Sequence, residues 1–210
     1  MTRDRILEPR NGRSRQTRQA LLAAARGLLE ERGFDALSLA DVATHAGVSR
    51  MTAYLHFANR GELVIALFDY NATLEGLSES MAMVWASPDA VAALDEWGAH
   101  LARYHPRLMA VDRAIESARR VDDDVAALRE RVVAAKLANC RRLVRWLADE
   151  GRLRAEWSRR SATDMLFALI SSDLIEALTV DRRWSTERLA EHLGLMFRST
   201  FVADVGGGHE

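Results

Sequence analysis

The chain has 210 residues, 49% hydrophobic and 28% charged, enough apolar material for one or two ordinary domains and too little bias for a disordered or fibrous chain. The longest runs free of Lys, Arg, Asp and Glu are nine residues, far short of the roughly 20 that a membrane-spanning helix needs. The first 20 residues carry six arginines and no apolar run, which does not read as a secretory signal. The single cysteine, Cys140, excludes an internal disulfide and a thiol-rich zinc site. The expected setting is the cytoplasm, with no membrane partner.

A near-neutral total of −1 hides an asymmetry. Residues 1–60 carry a net charge of +4 and residues 61–210 a net of −5, so the N-terminal segment is the part suited to an anionic partner. Arginine outnumbers lysine 28 to 1. Because arginine fills plainly solvent-facing helix positions throughout, the ratio reads as coding bias.

Helical spacing runs through almost every segment. The ends, 1–12 and 205–210, read as frayed. A first helix over 15–32 has the stripe Ala20, Leu21, Ala24, Ala25, Leu28 and Leu29, stopped by Gly33. Ser38 and Asp41 form a capping box for a short helix with Leu39, Val42, Ala43 and Ala46 inward, and Gly47 ends it. Ser49 caps a second short helix to Phe57. Asn59 and Glu62 open a long helix expected to carry Leu63, Ala66, Leu67, Tyr70, Leu74 and Leu77 on one side. Ser87, Pro88 and Asp89 predict an N-cap, a first-turn proline and a dipole-matched acid. Pro106 predicts a further helix start, and Asp122, Asp123 and Asp124 another, closed by Gly151. Ser161 with Asp164 predicts a helix to residue 180, and Ser185 with Glu187 a last one to about residue 203. The expectation is an all-α chain of about nine helices.

Residues 38–57 are two short helices joined by Ala46, Gly47, Val48 and Ser49, the plan of a helix-turn-helix whose second helix enters the major groove. Arg50 stands at the first turn of that helix, where it can fork to guanine or phosphate. Thr52, Tyr54 and His56 offer donors suited to backbone oxygens, and Arg60 with Arg10, Arg13, Arg15 and Arg18 adds flanking positive charge. A purely structural helix pair is the bland alternative. It does not account for Arg50, Thr52 and His56 on one polar side. For the arginines from Arg3 to Arg18, a solvated tail is an equal alternative.

These residues resemble the N-terminal domain of the tetracycline-repressor (TetR) family of bacterial transcription regulators. The resemblance rests on Ala24, Ala25, Leu28, Gly33, Phe34, Leu39, Val42, Ala43, Ala46, Tyr54, His56, Phe57, Arg60 and Leu63, and above all on Gly47-Val48-Ser49 with Tyr54-Leu55-His56-Phe57. It implies a DNA-binding head over residues 13–60 and a helical effector-binding and dimerisation domain over 61–204. It further implies a homodimer on a palindromic DNA operator, released by a small effector. Ser38, Tyr54, His56 and Arg60 fall where phosphate contacts are usual. Ser49 is the cap, and Arg50, Met51 and Thr52 fall where bases or their flanking phosphates are met. Arg60 replaces a usual lysine. Gly61 replaces a usual acid, which implies a looser start to the fourth helix. Ala53 replaces a larger aliphatic residue, which implies a slightly under-packed second short helix.

Beyond the head, Trp97, His100, Tyr104 and Phe167 are candidates to line an effector pocket, with core packing the default for any one of them. His100 and His105 are five apart and lack a carboxylate cluster, so they read as surface or pocket-edge histidines and no metal is expected. Cys140 reads as a small buried hydrophobe. The apolar sets of the last two helices, including Leu174 and Leu193, exceed one intramolecular face and suggest the dimer contact. A rival all-helical enzyme would need a nucleophile or acid–base motif, and no Gly-x-Ser-x-Gly, His-Glu-x-x-His or P-loop pattern is present. No enzyme activity and no cofactor are expected. A helical adaptor that binds only protein is the remaining rival, and the basic head speaks against it.

Overall fold

The computed structural model describes residues 11–203. The expected frayed ends lie outside the described residues, apart from Asn11 and Gly12, which cap and open the first helix. Among the described residues there are ten α-helices and no strand, only one isolated bridge between Leu153 and Val202. No helix there is long and apolar enough to cross a membrane. By compactness the chain divides into two units, one of residues up to Leu74 with Leu108–Arg131, the other of Glu75–Arg107 with residues from Val132 onward.

In the first unit, α1 (Gly12–Arg32) buries Leu21, Leu22, Ala25, Leu28 and Leu29, so its inward line holds Leu22 where Ala20 was expected. Helix α2 (Leu39–His45) buries Leu39, Val42 and Ala43. Ser38 caps it by accepting from the Asp41 amide at 3.1 Å. Helix α3 (Arg50–His56) is capped in the same way by Ser49. Helix α4 (Arg60–Leu74) starts on Asn59, which accepts from the Glu62 amide at 2.8 Å, while Glu62 reaches back to the Ala58 amide at 2.7 Å. The expected long helix ends at Leu74, because Gly76 takes a left-handed conformation and a separate α5 (Leu77–Trp85) follows. Its inward line is also rotated. Leu63, Val64, Leu67 and Asn71 are buried, and Leu74 is exposed.

Helix α6 (Ala90–Ala118) corrects two expectations. It begins on Asp89, which accepts from the Ala92 amide at 2.8 Å, while the Glu150 carboxylate takes the Ala90 amide at 3.0 Å. Ser87 instead bonds back to the Met83 carbonyl. Pro106 starts nothing, since α6 runs through it. An interior proline removes one hydrogen bond at about 3 kcal/mol. The buried line Leu94, Trp97, Leu101, Leu108, Val111 and Ile115 offsets that cost, at roughly 1.5–3 kcal/mol per large side chain.

Helix α7 (Asp123–Asp149) starts on Asp122, as expected, and is closed by Gly151 in left-handed conformation. Helix α8 (Arg159–Leu169) begins earlier than predicted, on a reciprocal box between Ser158 and Ser161. The run expected to continue to residue 180 is broken. Ser171 accepts from the Leu174 amide and restarts the chain as α9 (Ser172–Glu176), followed by a π-turn, Ala177–Asp181. Helix α10 (Thr186–Phe201) is capped by Ser185 as expected.

The second unit is built around Trp97, Leu94, Leu143, Leu147, Leu166 and Phe197, with Phe201 beside them. Gly98 of α6 meets Gly194 of α10 so closely that a Cβ on Gly98 would lie 3.0 Å from the Gly194 nitrogen. Two glycines at one crossing let the backbones approach, and Arg198 pairs with Asp95 beside it.

Candidate nucleic-acid interface

The turn between α2 and α3 is set by hydrogen bonds alone. Gly47, left-handed at φ 66°, donates to the Thr44 carbonyl at 3.2 Å, and Val48 donates to the Ala43 carbonyl at 3.0 Å. This paired closure satisfies two carbonyls, and its left-handed backbone favours glycine at position 47. Ser49 then accepts from the Thr52 amide at 3.1 Å and exchanges a hydroxyl bond with Thr52 at 2.9 Å. The start of α3 is therefore fixed to within one turn.

What α3 presents outward is Arg50, Met51 and Tyr54, all exposed, with Met51 65% accessible. Thr52 is half-buried, and Ala53, Phe57 and His56 face the core. Ala53 is fully buried. Ser38 is half-buried at the start of α2, its hydroxyl engaged with Asp41. Thr44 and His45 stand exposed on the last turn of α2. Sequence reasoning passed over these two, although their offset from the Leu39, Val42, Ala43 line already places them outward.

Two expected contact residues do not stand on the outer surface. His56 is only 2% exposed. Its backbone carbonyl accepts from Arg18 Nη1 at 2.9 Å, and burial, reinforced by Arg18, pushes its pKa down. Arg60 lays its guanidinium over the Phe34 ring at 3.4 Å and donates to the Phe34 carbonyl. Arg18 is spent similarly, 4.4 Å over the Phe57 ring. All three hold the head together, whereas Arg13 and Arg15 on α1 remain exposed. Arg10 lies outside the described residues.

The expected looseness at Gly61 is absent too. A Cβ at Gly61 would fall 1.9 Å from Asp122 Oδ2, so the missing side chain makes room for this carboxylate beside the first turn of α4. The Asp122 Oδ1 atom meanwhile caps α7 through the Val125 amide at 3.1 Å.

In the second unit, Trp97, His100 and Tyr104 form a continuous stack, with centroid separations of 5.2 and 5.5 Å. Phe167 is half-buried against the same core that contains Trp97. His100 and His105, read from sequence as surface or pocket-edge residues, are both buried. His100 Nδ1 bonds the Ser80 hydroxyl at 2.8 Å, and Arg103 reaches that hydroxyl at 3.2 Å and Glu96 at 2.6 Å. Burial, then Arg103, lowers the His100 pKa to about 4. Burial, with Lys136 and His100 behind it, lowers that of His105 to about 3. Cys140 is fully buried and its thiol is pushed up to about 12, chiefly by burial, which keeps it a protonated hydrophobe at neutral pH.

Residues 21–67 match the family described as bacterial regulatory proteins, tetR family. The HTH-type transcriptional regulator CymR of Pseudomonas putida is 41% identical over 58 residues, a stretch covering 28% of this chain and 29% of that protein. Likeness to the curated relatives thus spans less than a third of their length. Among solved structures, a transcriptional regulator from Saccharomonospora viridis in complex with choline superposes with a TM-score of 0.74 at 19% identity, over 90% of this chain and all of that one. NalD, the secondary repressor of the MexAB-OprM multidrug efflux pump in Pseudomonas aeruginosa, superposes at 0.67 with 25% identity, over 92% of this chain and all of that one. The head matches in sequence and the whole described chain matches in fold. The likeness to the tetR family of bacterial regulatory proteins is thus one of sequence over residues 21–67 and of fold beyond them.

Proposed function

We propose that the protein is a ligand-responsive, DNA-binding transcription regulator, a non-enzymatic repressor acting in the cytoplasm as a homodimer on a palindromic operator. The observation that carries this reading is the capped α2–turn–α3 unit with Arg50, Met51 and Tyr54 on its outer side. In this reading residues 13–60 form the DNA-binding head and 61–204 the effector and dimerisation domain. Arg50, Met51 and Thr52 meet bases or adjacent phosphates, and Tyr54 meets phosphate. Ser38 and Ser49 set the helices through their caps. His56 and Arg60 act from behind, by fixing α3 and α4 rather than by touching DNA.

Dimerisation falls to the side of α8–α10 that the protomer leaves uncovered, marked by exposed Met165, Val180 and Leu195. Leu193, first expected in that contact, is 2% exposed and belongs to the protomer's own core. Two such protomers must hold their α3 helices about 34–36 Å apart to read successive major grooves. The effector is a small, largely apolar molecule, in keeping with the buried Trp97, His100, Tyr104 stack and Phe167. The Trp97 Nε1 donor has no partner among the described residues.

The test is a gel-shift titration against salt. If each half-site neutralises about three to five phosphates, log K falls with a slope of roughly −5 to −9 against log salt. Binding that does not respond to salt would remove the DNA reading and leave the protein-only adaptor. Sedimentation at micromolar concentration tests the dimer, and a monomer there refutes it.

A further inference from the structure

Asn71 breaks the pattern of the helix that carries it. On α4 the other large inward side chains are Leu63, Val64 and Leu67, each with no exposure. Asn71 continues that line one turn on, also at 0% exposure. A leucine of nearly the same shape would fit the pattern. The amide that stands there offers two donor hydrogens and two acceptor lone pairs, and neither Oδ1 nor Nδ2 has a partner.

Other buried polar groups are treated differently. Ser80 and His100 bond each other, and Thr163 bonds the Arg159 carbonyl. Among the described residues, Asn71 is the one buried side chain with both of its polar atoms orphaned. An unsatisfied buried amide carries its full desolvation penalty. A trapped water would need further polar partners, and the inward residues beside Asn71 on α4 supply none.

We propose that Asn71 is the group through which α4 reads an effector, and that this effector carries a hydrogen-bond donor and acceptor side by side: a primary amide or a lactam on an apolar body. Such a group closes two parallel hydrogen bonds with a carboxamide, one to Oδ1 and one from Nδ2. An alcohol or ketone can close only one of the pair. The position also suits a readout. About three turns before Asn71, the same helix begins at Arg60, which is tied to Phe34, so a ligand seated on Asn71 bears directly on the helix that leaves the DNA-binding head. This inference rests on the effector reading proposed above.

The side-chain amide of Asn71 is itself the probe. In the 15N-labelled full-length protein its Nδ2 proton pair is assigned by its loss in Asn71→Leu, among only four asparagines in the chain. Benzamide and ethylbenzene, the second an apolar compound of the same ring and one heavy atom smaller, are then titrated at matched concentrations. Benzamide is expected to shift the Asn71 pair downfield, and ethylbenzene to leave it in place. In Asn71→Leu the benzamide affinity falls at least tenfold, ethylbenzene binding persists, and the thermal midpoint of the free protein rises by a few degrees. An Asn71 pair that ignores benzamide, or answers both compounds alike, overturns the inference and leaves a structural amide satisfied by water. Operator release is measured separately in gel shifts. Failure of all compounds to release DNA would count against the effector reading, whereas a silent Asn71 pair counts against this assignment alone.

Discussion

The head and the second unit place their polar groups by opposite means. Between residues 38 and 62, Ser38, Ser49 and Asn59 each accept from a backbone amide three residues ahead, and the polar side chains between the caps, His56 apart, stay at the surface or half-buried. In the second unit, Ser80, His100 and His105 are drawn inside, and Ser80 and His100 find each other across 20 positions of sequence. Short-range capping leaves an outer side free for a partner. Long-range burial forces ionisable groups into their neutral forms. The first arrangement suits reading a charged polymer, the second suits holding something apolar.

The strongest way to break the contrast is to put charge inside the second unit. Leu193→Asp places a carboxylate at a position 2% exposed, beside the Gly98–Gly194 crossing. It should cost more than about 4 kcal/mol and abolish the cooperative thermal transition. Leu195→Asp, two residues on at 53% exposure, should leave the protomer folded and lower the sedimentation mass to that of a monomer. If Leu193→Asp gives folded monomers instead, Leu193 lies in the dimer contact after all.

Acid should act on the second unit through its histidines. Both His100 and His105 have folded pKa values below the ordinary 6.5, so the unfolded chain binds protons that the folded one rejects. Their contribution is complete above about pH 6.5 and is lost as pH falls toward about 4 for His100 and about 3 for His105. Each adds a slope of up to about 1.4 kcal/mol per pH unit within its window. Urea midpoints should therefore drop between about pH 6.5 and 4.5. His100→Gln, which can still bond Ser80, should roughly halve that drop. A midpoint flat over this range would mean that the histidines are solvated, and the contrast would fail.

How far the sequence could be read follows the same division. Caps at Ser38, Ser49, Asn59, Asp122 and Ser185 were legible because a cap is settled within four residues. Pro106 misled because a local rule was overruled by the burial of a long apolar line. The break at Ser171 was missed because nothing in the periodicity of residues 165–180 marks it. Tyr54 and Arg50 were placed correctly outward, since they lie off the apolar period of α3. His56 and Arg60 were not. Their packing against Arg18 and Phe34 is set by residues 38 and 26 positions away, and a polar side chain carries no sign of which ring or carbonyl will engage it.

Gly61 sharpens the comparison at a smaller scale. Gly61→Ala drives a Cβ into the Asp122 carboxylate and should lower stability by about 1–3 kcal/mol. Asp122→Ala alone gives up the α7 cap, for about 1 kcal/mol. The double variant should cost less than the sum of the two, by at least about 0.5 kcal/mol in chemical denaturation. Strict additivity would show that α4 has room for a side chain there.

The smallest effect on stability, and the cleanest on binding, should come from exchanging two arginines of the head. Arg18 is half-buried, donates to the His56 carbonyl and lies over the Phe57 ring. Burial lowers its pKa, with Glu62 opposing, but it stays charged at any pH where the protein folds. Arg18→Ala should cost roughly 1–2 kcal/mol of stability through the lost cation–π contact and charged hydrogen bond, and weaken DNA binding to all sequences alike, because α3 loses its support. Arg50 is exposed at the first turn of α3. Arg50→Ala should leave the denaturation midpoint within about 0.5 kcal/mol of the wild type. It should nonetheless weaken the cognate operator by roughly 1–3 kcal/mol per half-site while sparing non-specific DNA, so that preference relaxes at one base position. Competition binding against a library of single-base variants reads both quantities at once. Equal losses on cognate and random DNA would make Arg50 a phosphate contact and move base reading to Met51 and Thr52.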